Sequence, residues 1–278
     1  MRMNRVEVLG VPVDCITEDE AIDCVESALL GRRPCSILAV NPEKVLQAQR
    51  DPAILEALRS AWLLIPDGIG VVFAARLLHL GRMSRIPGAE LMPAICERAA
   101  QKGRRIFLFG ASPEVNDEVG RILPERYPGL KIAGRQHGYV KEDDMPGLIE
   151  AINVSRADIL FVAVGSPKQE YWINRYLPHL KVKVCQGVGG TFDVIAGRVK
   201  RAPLFFRLIH LEWFYRLLSQ PSRILRQTAL PMFAYQVLRN KFMKRSDLQS
   251  ALSAPPASVL RGDSDPGKSS VRHREKAA

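Results

Sequence analysis

The alternation of continuous apolar runs with helical patterns, over about the first 200 residues, most constrains what this chain can fold into. The apolar runs are VEVLGVPVD (6–14), SILAV (36–40), WLLI (62–65), RIFLFG (105–110), LKIAG (130–134), DILFVAVG (158–165) and VKVCQGVG (182–189). Helical runs such as 42–60 and 88–103 lie between them. Apolar strands separated by helices indicate βαβ units. The sequence therefore predicts an α/β, Rossmann-like fold with a mainly parallel sheet flanked by helices.

Residues 61–80 are long enough and apolar enough to imitate a membrane-spanning helix. Pro66, Asp67 and Gly68 interrupt the run, and Arg76 and His79 follow them. We therefore interpret the segment as strand, turn and helix within a soluble core, and no transmembrane helix is predicted. The N-terminal residues contain no apolar run that would fit a signal peptide.

Ligands of open α/β sheets bind beyond the carboxyl ends of the strands, so the loops after the strands are the candidates for chemistry. Four of them have the same order of features, in which a strand is followed by a small or polar residue, then a proline or glycine, and then a helix. These loops are 40–44, 65–70, 109–115 and 164–170. A fifth, QGVGGTFD (186–193), is rich in glycine. We expect the five loops to converge on one crevice.

Several loop residues also have a purely structural explanation. Asn41 and Ser112 fit the N-cap position of a helix, each followed by a proline at the first helical position. A helix N-terminus also suits a phosphate, and glycines allow a nucleotide diphosphate to approach the backbone. The residues that offer this are Gly110 and Ala111, and Gly187, Gly189 and Gly190. No GxGxxG or Walker A pattern accompanies them.

The stretch VGSPKQE brings a cation, an amide and a carboxylate together at the end of a strand. Lys168 could contact a phosphate, while Gln169 and Glu170 could bind sugar hydroxyls. An exposed first helical turn explains the same residues equally well. Asp67, between a proline and a glycine, is likewise open to two interpretations, a turn residue or a catalytic carboxylate.

A net charge of +11 points to an acidic partner, such as nucleic acid, an anionic membrane surface or a phosphate-bearing substrate. From about residue 201 the character changes: Leu204, Leu208, Leu211, Tyr215 and Leu218 form an apolar helical stripe, and many basic residues lie between 201 and 245. We therefore predict three regions: a catalytic domain (1–200), a basic amphipathic helical segment (201–245) and a disordered tail (246–278). Composition alone slightly favours a helix that packs on the domain with a solvated basic face; the alternative is that Phe205, Phe206, Trp213 and Phe214 enter a membrane interface.

Other site types have no signature in the chain. The five cysteines form no CxxC pair and the five histidines no HxxxH or HExxH, so we predict neither a metal nor another cofactor. The missing GxGxxG argues against a nucleotide-dependent oxidoreductase. No helix-turn-helix, zinc finger or RNA-binding signature is present, so nucleic acid is not a predicted partner.

Eight motifs occur in a fixed order that resembles one protein family. They are NPE (41–43), PDGIGV (66–71), RIPGAEL (85–91), FGA (109–111), GSPKQE (165–170), GVGGTFD (187–193), RAP (201–203) and LEWFYRLLSQPSRILRQ (211–227). Together they closely resemble the WecG/TagA/CpsF family of bacterial glycosyltransferases, over about residues 5–245.

The resemblance implies an inverting, metal-independent enzyme that transfers a sugar from a UDP-sugar to a polyprenyl-diphosphate-linked acceptor. Such enzymes work at the cytoplasmic face of the membrane, in the synthesis of cell-surface polysaccharides. This predicts a cytoplasmic protein that associates peripherally with the anionic inner face of the membrane. The alternative is a basic α/β protein that binds membranes or nucleic acid without transferase activity.

The resemblance also implies roles for individual residues. Asp67 would be the catalytic base, and Asn41 would assist it. Of the donor residues, the resemblance points to Gln169; together with the strand-end loops, the residues expected at the donor are Gly110, Ala111, Gly165, Lys168, Gln169, Glu170, Gly187, Gly189, Gly190 and Asp193. Those expected at the acceptor diphosphate are Arg85, Arg201, Arg216, Arg223 and Arg226.

One residue departs from the pattern, since some relatives place a threonine where this chain has Ala39. The donor sugar is therefore left open among N-acetylmannosamine, its uronic acid, N-acetylglucosamine and glucose. A homo-oligomer is left open as well.

Overall fold

A six-stranded, fully parallel sheet organises the protein, as seen in a computed structural model that describes residues 4–199, 203 and 229–253, with side chains up to residue 243. The strand order is β4-β3-β8-β7-β5-β6. The strands are β3 (Cys35–Val40), β4 (Leu63–Pro66), β5 (Arg105–Gly110), β6 (Lys131–Gln136), β7 (Ile159–Ala163) and β8 (Val184–Gly187). All six coincide with predicted strands, and the predicted α/β, Rossmann-like class is confirmed.

Helices lie between the strands and after the last of them. They are α1 (Glu18–Leu29), α2 (Pro42–Ala48), α3 (Pro52–Ser60), α4 (Ile69–Leu77), α5 (Gly88–Gln101), α6 (Pro113–Arg126), α7 (Met145–Val154), α8 (Lys168–Tyr176), α9 (Thr191–Ile195) and α10 (Ala229–Ser253). Short 3-10 turns occupy Glu142–Asp144 and Leu177–His179.

The two faces of the sheet carry separate hydrophobic clusters, because side chains alternate along each strand. Leu38 and Leu64 belong to the cluster that includes residues of α2, α3, α4, α7 and α8. Ile37 and Leu63 belong to the cluster that includes residues of α1, α5, α6 and α9. Burial on both faces explains why the strands read as continuous apolar runs.

The prediction that residues 6–14 form a single strand of the sheet is wrong. The segment forms an antiparallel hairpin of β1 (Asn4–Val8) and β2 (Val11–Cys15), which is a separate two-stranded sheet. The chain reverses at Leu9 and Gly10, whose φ angles of 53° and 81° are those of a type I′ turn. Because Leu rarely adopts a positive φ, the apolar pattern concealed this turn.

The hairpin is attached to the edge strand β4 through a buried carboxylate. Asp14 accepts hydrogen bonds from Arg5 Nε at 2.8 Å and from the Leu64 amide at 2.8 Å. The Arg5 guanidinium also donates to the carbonyl oxygens of Ala61 and Trp62. The strand that precedes Asp67 is thereby held at its outer edge.

The helical run 42–60 is divided at its centre. Pro52 has no N–H and disfavours a helical conformation at the residue before it, so α2 ends and α3 begins here. Asp51 caps the new helix, since its Oδ1 accepts from the Ala53 amide at 2.9 Å. The proline and the aspartate were both visible in the sequence.

The helix α10 begins in the predicted basic segment and runs past its predicted end at residue 245. Phe233 and Val237, one turn apart, are buried in the first cluster. The predicted stripe from Leu204 to Leu218 and the residues from 254 onwards lie outside the described residues. Within the described part of the chain, every helix is too short or too polar to cross a membrane.

Candidate active site

Four strand-end loops surround a cavity of about 550 Å³. They follow β3, β4, β7 and β8, which are neighbours in the sheet, so their carboxyl ends meet at one edge. Ala229 and Leu230 of α10 also line the cavity. The predicted site residues that the cavity brings together are Asn41, Asp67, Arg85, Gly165, Gln169, Gly187, Gly189, Gly190 and Asp193.

Asn41 occupies the N-cap of α2, as predicted. Its Oδ1 accepts from the Lys44 amide at 2.9 Å, and Pro42 takes the first helical position. The side chain is thereby fixed at the cavity wall. The structural and functional interpretations of Asn41 are compatible, because the capping bond uses only the carbonyl oxygen of its amide.

Asp67 stands where β4 ends, and its amide donates to Val40 O of the neighbouring strand at 2.9 Å. The glycine that follows is packed tightly, since a Cβ on Gly68 would lie 2.7 Å from Pro42 Cδ and 3.2 Å from Asn41 Cβ. The glycine therefore allows the two loops to touch, which places Asp67 beside Asn41.

Arg85 reaches the cavity from the segment between α4 and α5. The following residue, Ile86, is fully buried and donates its amide to Pro66 O at 2.8 Å. This bond anchors the segment at the end of β4, where Asp67 also begins its loop. Asp67 and Arg85 thus both line the cavity.

The loop after β5 does not contribute to the cavity, so the expected convergence of five loops is reduced to four. A Cβ on Gly110 would lie 2.4 Å from the carbonyl carbon of Ala163. The Ala111 amide donates to Ala163 O at 2.9 Å, and Ala111 O accepts from the Gly138 amide at 2.8 Å. These backbone groups, predicted to meet a diphosphate, serve the packing between strand ends, while Ser112 caps α6 as predicted.

Only one side chain of the KQE triplet faces the cavity. Lys168 is exposed outside its lining, and Gln169 lines it. Glu170 is completely buried and accepts from Lys44 Nζ at 2.5 Å and from Gln169 Nε2 at 2.9 Å. The explanation of an exposed first helical turn is thus wrong for two of the three residues.

The glycine loop after β8 packs against the same amide. A Cβ on Gly187 would lie 3.1 Å from Gln169 Nε2, and the Gly189 amide donates to Gln169 Oε1 at 2.9 Å. Gly190 precedes α9, which carries Asp193. Gly187 is therefore needed, at least in part, because the Gln169 side chain packs closely against its backbone.

The role of Lys44 was missed in the sequence. Lysine is seldom buried without a partner, yet this side chain is only 3% exposed. Lys44 belongs to the strand-end loop 40–44 that the sequence singles out, but its partner lies 126 residues further along the chain. Nothing in the local sequence identifies that partner.

The remaining expected residues cannot be placed. Arg201, Arg216, Arg223 and Arg226 lie outside the described residues. Among the residues that are described, no group of three or more His, Cys, Asp or Glu side chains could hold a metal ion. The expectation of a metal-independent enzyme stays a prediction.

Comparisons with known proteins identify the family of this chain. Residues 6–247 match the glycosyl transferase WecG/TagA/CpsF family. A protein of Bacillus spizizenii is 40% identical over 205 residues, which cover 74% of this chain and 79% of the relative. One of Staphylococcus aureus is 35% identical over 239 residues, covering 85% and 93%. Both are named N-acetylglucosaminyldiphosphoundecaprenol N-acetyl-beta-D-mannosaminyltransferase. The chain belongs to the WecG/TagA/CpsF family and is a glycosyltransferase.

Proposed function

We propose that the protein transfers N-acetylmannosamine from UDP to a polyprenyl-diphosphate-linked N-acetylglucosamine, with inversion at the anomeric carbon. The observation that carries this proposal is the shared lining of one cavity by Asn41, Asp67, Arg85 and Gln169. The names of the relatives supply the sugar and the acceptor. The alternative of a binding protein without transferase activity is set aside, because the chain is a glycosyltransferase.

Asp67 is the proposed general base. It takes the proton from the acceptor hydroxyl as that oxygen attacks the anomeric carbon, which acquires oxocarbenium character. General-base assistance of this kind contributes about 10²–10⁴-fold to a rate. Asn41, fixed by its capping bond to Lys44 N, would orient the sugar or the attacking hydroxyl beside it.

The departing UDP carries negative charge that must be offset as the glycosidic bond breaks. Arg85 lines the cavity and supplies a positive charge there, and fixed donors near developing charge are the largest catalytic contribution in many enzymes. The predicted Arg201, Arg216, Arg223 and Arg226 would add charge near the acceptor diphosphate. Lys168 is exposed outside the cavity, so its phosphate contact remains a prediction without geometric support.

The lipid-linked acceptor implies work at a membrane, and α10 has a surface that fits this. Met232, Tyr235 and Leu238 are exposed on the helix, together with the basic Arg239. An apolar and basic helical face suits the interface of an anionic membrane. We place the enzyme peripherally at the cytoplasmic face, where it would contribute to cell-surface polysaccharide synthesis.

A donor panel tests the proposal. The purified chain is incubated with a short-chain polyprenyl-diphosphate N-acetylglucosamine and, in turn, UDP-linked N-acetylmannosamine, N-acetylmannosaminuronic acid, N-acetylglucosamine and glucose. The product is identified by mass and its linkage by NMR. We expect turnover with UDP-N-acetylmannosamine and a β-linked product. Preferred use of another donor, or an α-linkage, contradicts the proposal.

A further inference from the structure

A buried ion pair connects the loops on either side of the central strand β8. Lys44, 3% exposed, lies in the first turns of α2 after β3, and Glu170, completely buried, lies in the first turn of α8 after β7. Their Nζ and Oε1 atoms are 2.5 Å apart. The strands β3 and β7 both pair with β8. The ion pair therefore connects the loop after β3 with the loop after β7, on the two sides of the loop that follows β8.

The same carboxylate oxygen holds the amide of Gln169. Glu170 Oε1 accepts from Gln169 Nε2 at 2.9 Å, and Gln169 Oε1 in turn accepts from the Gly189 amide at 2.9 Å. Reversal of this amide would set its oxygen against the carboxylate and its NH₂ group against the Gly189 N–H. Both contacts would be repulsive, so the charge on Glu170 selects one of the two orientations.

The packing around the amide leaves little space for other rotamers. The backbone of Gly187 approaches so closely that a Cβ there would lie 3.1 Å from Nε2 and 3.2 Å from Cδ of Gln169. Since each amide NH₂ group carries two hydrogens, Gln169 has one further N–H beyond the bond to Glu170. This residue lines the cavity proposed to receive the donor.

Stability alone is a poor reason for such a pair. Removing two charges from water is costly, and replacing a buried ion pair by apolar residues of similar volume is often neutral or stabilising. Glu170 Oε2 is buried and has no hydrogen-bond partner among the described residues, so the carboxylate is not arranged for the largest number of bonds. Lys44 and Gln169 both donate to the same oxygen, Oε1.

We infer that Glu170, held by Lys44, is a positioning residue that orients the Gln169 amide and the Gly189 loop towards the donor sugar nucleotide. Glu170 itself does not touch the donor, which revises its expected role as a direct ligand. The inference rests on the proposed function for the identity of the donor. The orientation of the amide can be tested without any substrate.

The variant Lys44→Met/Glu170→Met removes both charges and keeps similar volumes. We expect a melting temperature close to or above that of the wild type. We also expect faster hydrogen exchange at the Gly189 amide, by about tenfold, because the bond to Gln169 is no longer enforced. The KM for the donor should rise by about tenfold, a change of the size expected for one misplaced hydrogen bond, with a smaller change in kcat.

A second background separates positioning from a general structural effect. In Gln169→Ala, adding the two methionines should leave the donor KM where Gln169→Ala alone puts it, because the pair acts through that amide. Additive losses overturn the inference. The exposed pair Lys102–Glu26, 2.7 Å apart, provides the control: Lys102→Met/Glu26→Gln should change neither Gly189 exchange nor KM.

The outcomes distinguish this inference from the proposed function. Wild-type exchange at Gly189 in the double methionine variant overturns the positioning role, whatever the activity. Faster exchange in a protein whose wild type transfers no sugar overturns the proposed function alone. If the double methionine variant does not fold, Lys44→Met/Glu170→Gln is measured instead; we expect a smaller increase in exchange, and unchanged exchange overturns the inference.

Discussion

Gly68 lies against the ring of Pro42 so closely that a Cβ on the glycine would be 2.7 Å from Pro42 Cδ. The two residues belong to different strand-end loops, those of β4 and β3. Gly70 makes a similar approach, with a Cβ position 2.8 Å from Pro42 Cγ. The contact between these loops brings Asp67 and Asn41 together in the lining of one cavity.

Gly68→Ala should therefore separate the two loops. A proline ring cannot rotate away as a long side chain can, and overpacking of this kind costs about 1–3 kcal/mol. We expect a lower free energy of unfolding in urea and a loss of transferase activity in the protein that remains folded. The control is Gly147→Ala in α7, where a Cβ meets no atom within 4 Å. The Gly147→Ala substitution should stabilise the fold by about 0.5–1 kcal/mol. Full activity in Gly68→Ala would contradict the account of the contact between Gly68 and Pro42.

Asn41 combines a structural role with a proposed functional one, and two substitutions separate them. Asn41→Ala removes the cap of α2 and should lower stability by about 1 kcal/mol as well as activity. Asn41→Asp keeps an oxygen for the Lys44 amide, so stability should be retained while the amide N–H group is lost. Thermal unfolding and donor turnover are measured for both. Retained activity in Asn41→Asp would show that only the cap matters.

Thiol reactivity should follow burial. Burial raises the pKa of the Cys96 thiol to about 12 and also raises the pKa of the Cys185 thiol, so at pH 8 neither forms an appreciable amount of thiolate. We expect iodoacetamide to modify Cys15 and Cys35, which are partly exposed, and to reach Cys96 and Cys185 only after unfolding. Peptide mass mapping of native and denatured protein measures this. Rapid native labelling of Cys185 would contradict the buried position of β8.

The same shift predicts how stability changes at alkaline pH. An unfolded cysteine ionises at about pH 8.5, while the folded Cys96 stays protonated up to about pH 12. The unfolded state therefore binds fewer protons in this window, and the free energy of unfolding falls as pH rises through it. Cys96→Ala should show a weaker fall between pH 9 and pH 11 in urea titrations.

The exposed face of α10 should contribute to membrane binding. Each of Met232, Tyr235 and Leu238 offers apolar surface, and burying such a side chain contributes about 1.5–3 kcal/mol when complete. The triple serine variant should bind vesicles with anionic lipid at least tenfold more weakly in a flotation assay. Val154→Ser on α7, which is 68% exposed, is the control and should bind like the wild type. Equal binding of both variants would remove α10 from the docking surface.

Much of the fold was predictable because its signals are local. Buried parallel strands read as apolar runs, and the caps at Asn41 and Ser112 follow from side-chain type and the adjacent proline. The hairpin turn at Leu9 and Gly10 was missed because a leucine at positive φ carries no sequence signal. Local sequence patterns therefore identify a single helix or strand and its ends.

The site was predictable in its location but not in its contacts. That ligands bind beyond the strand ends is a rule of the fold, whereas the strand order that excludes the Gly110 loop is a property of the topology. The partnership of Lys44 with Glu170 spans 126 residues, and neither residue shows it alone. Long-range pairing of this kind requires the structure.

The most direct test of the account is the transfer rate of Asp67→Asn under single-turnover conditions, with UDP-N-acetylmannosamine and the lipid-linked N-acetylglucosamine. The account predicts a rate about 10²–10⁴-fold below that of the wild type, with unchanged melting temperature and unchanged affinity for UDP. Transfer at close to the wild-type rate by this variant would contradict the assignment of Asp67 as the base.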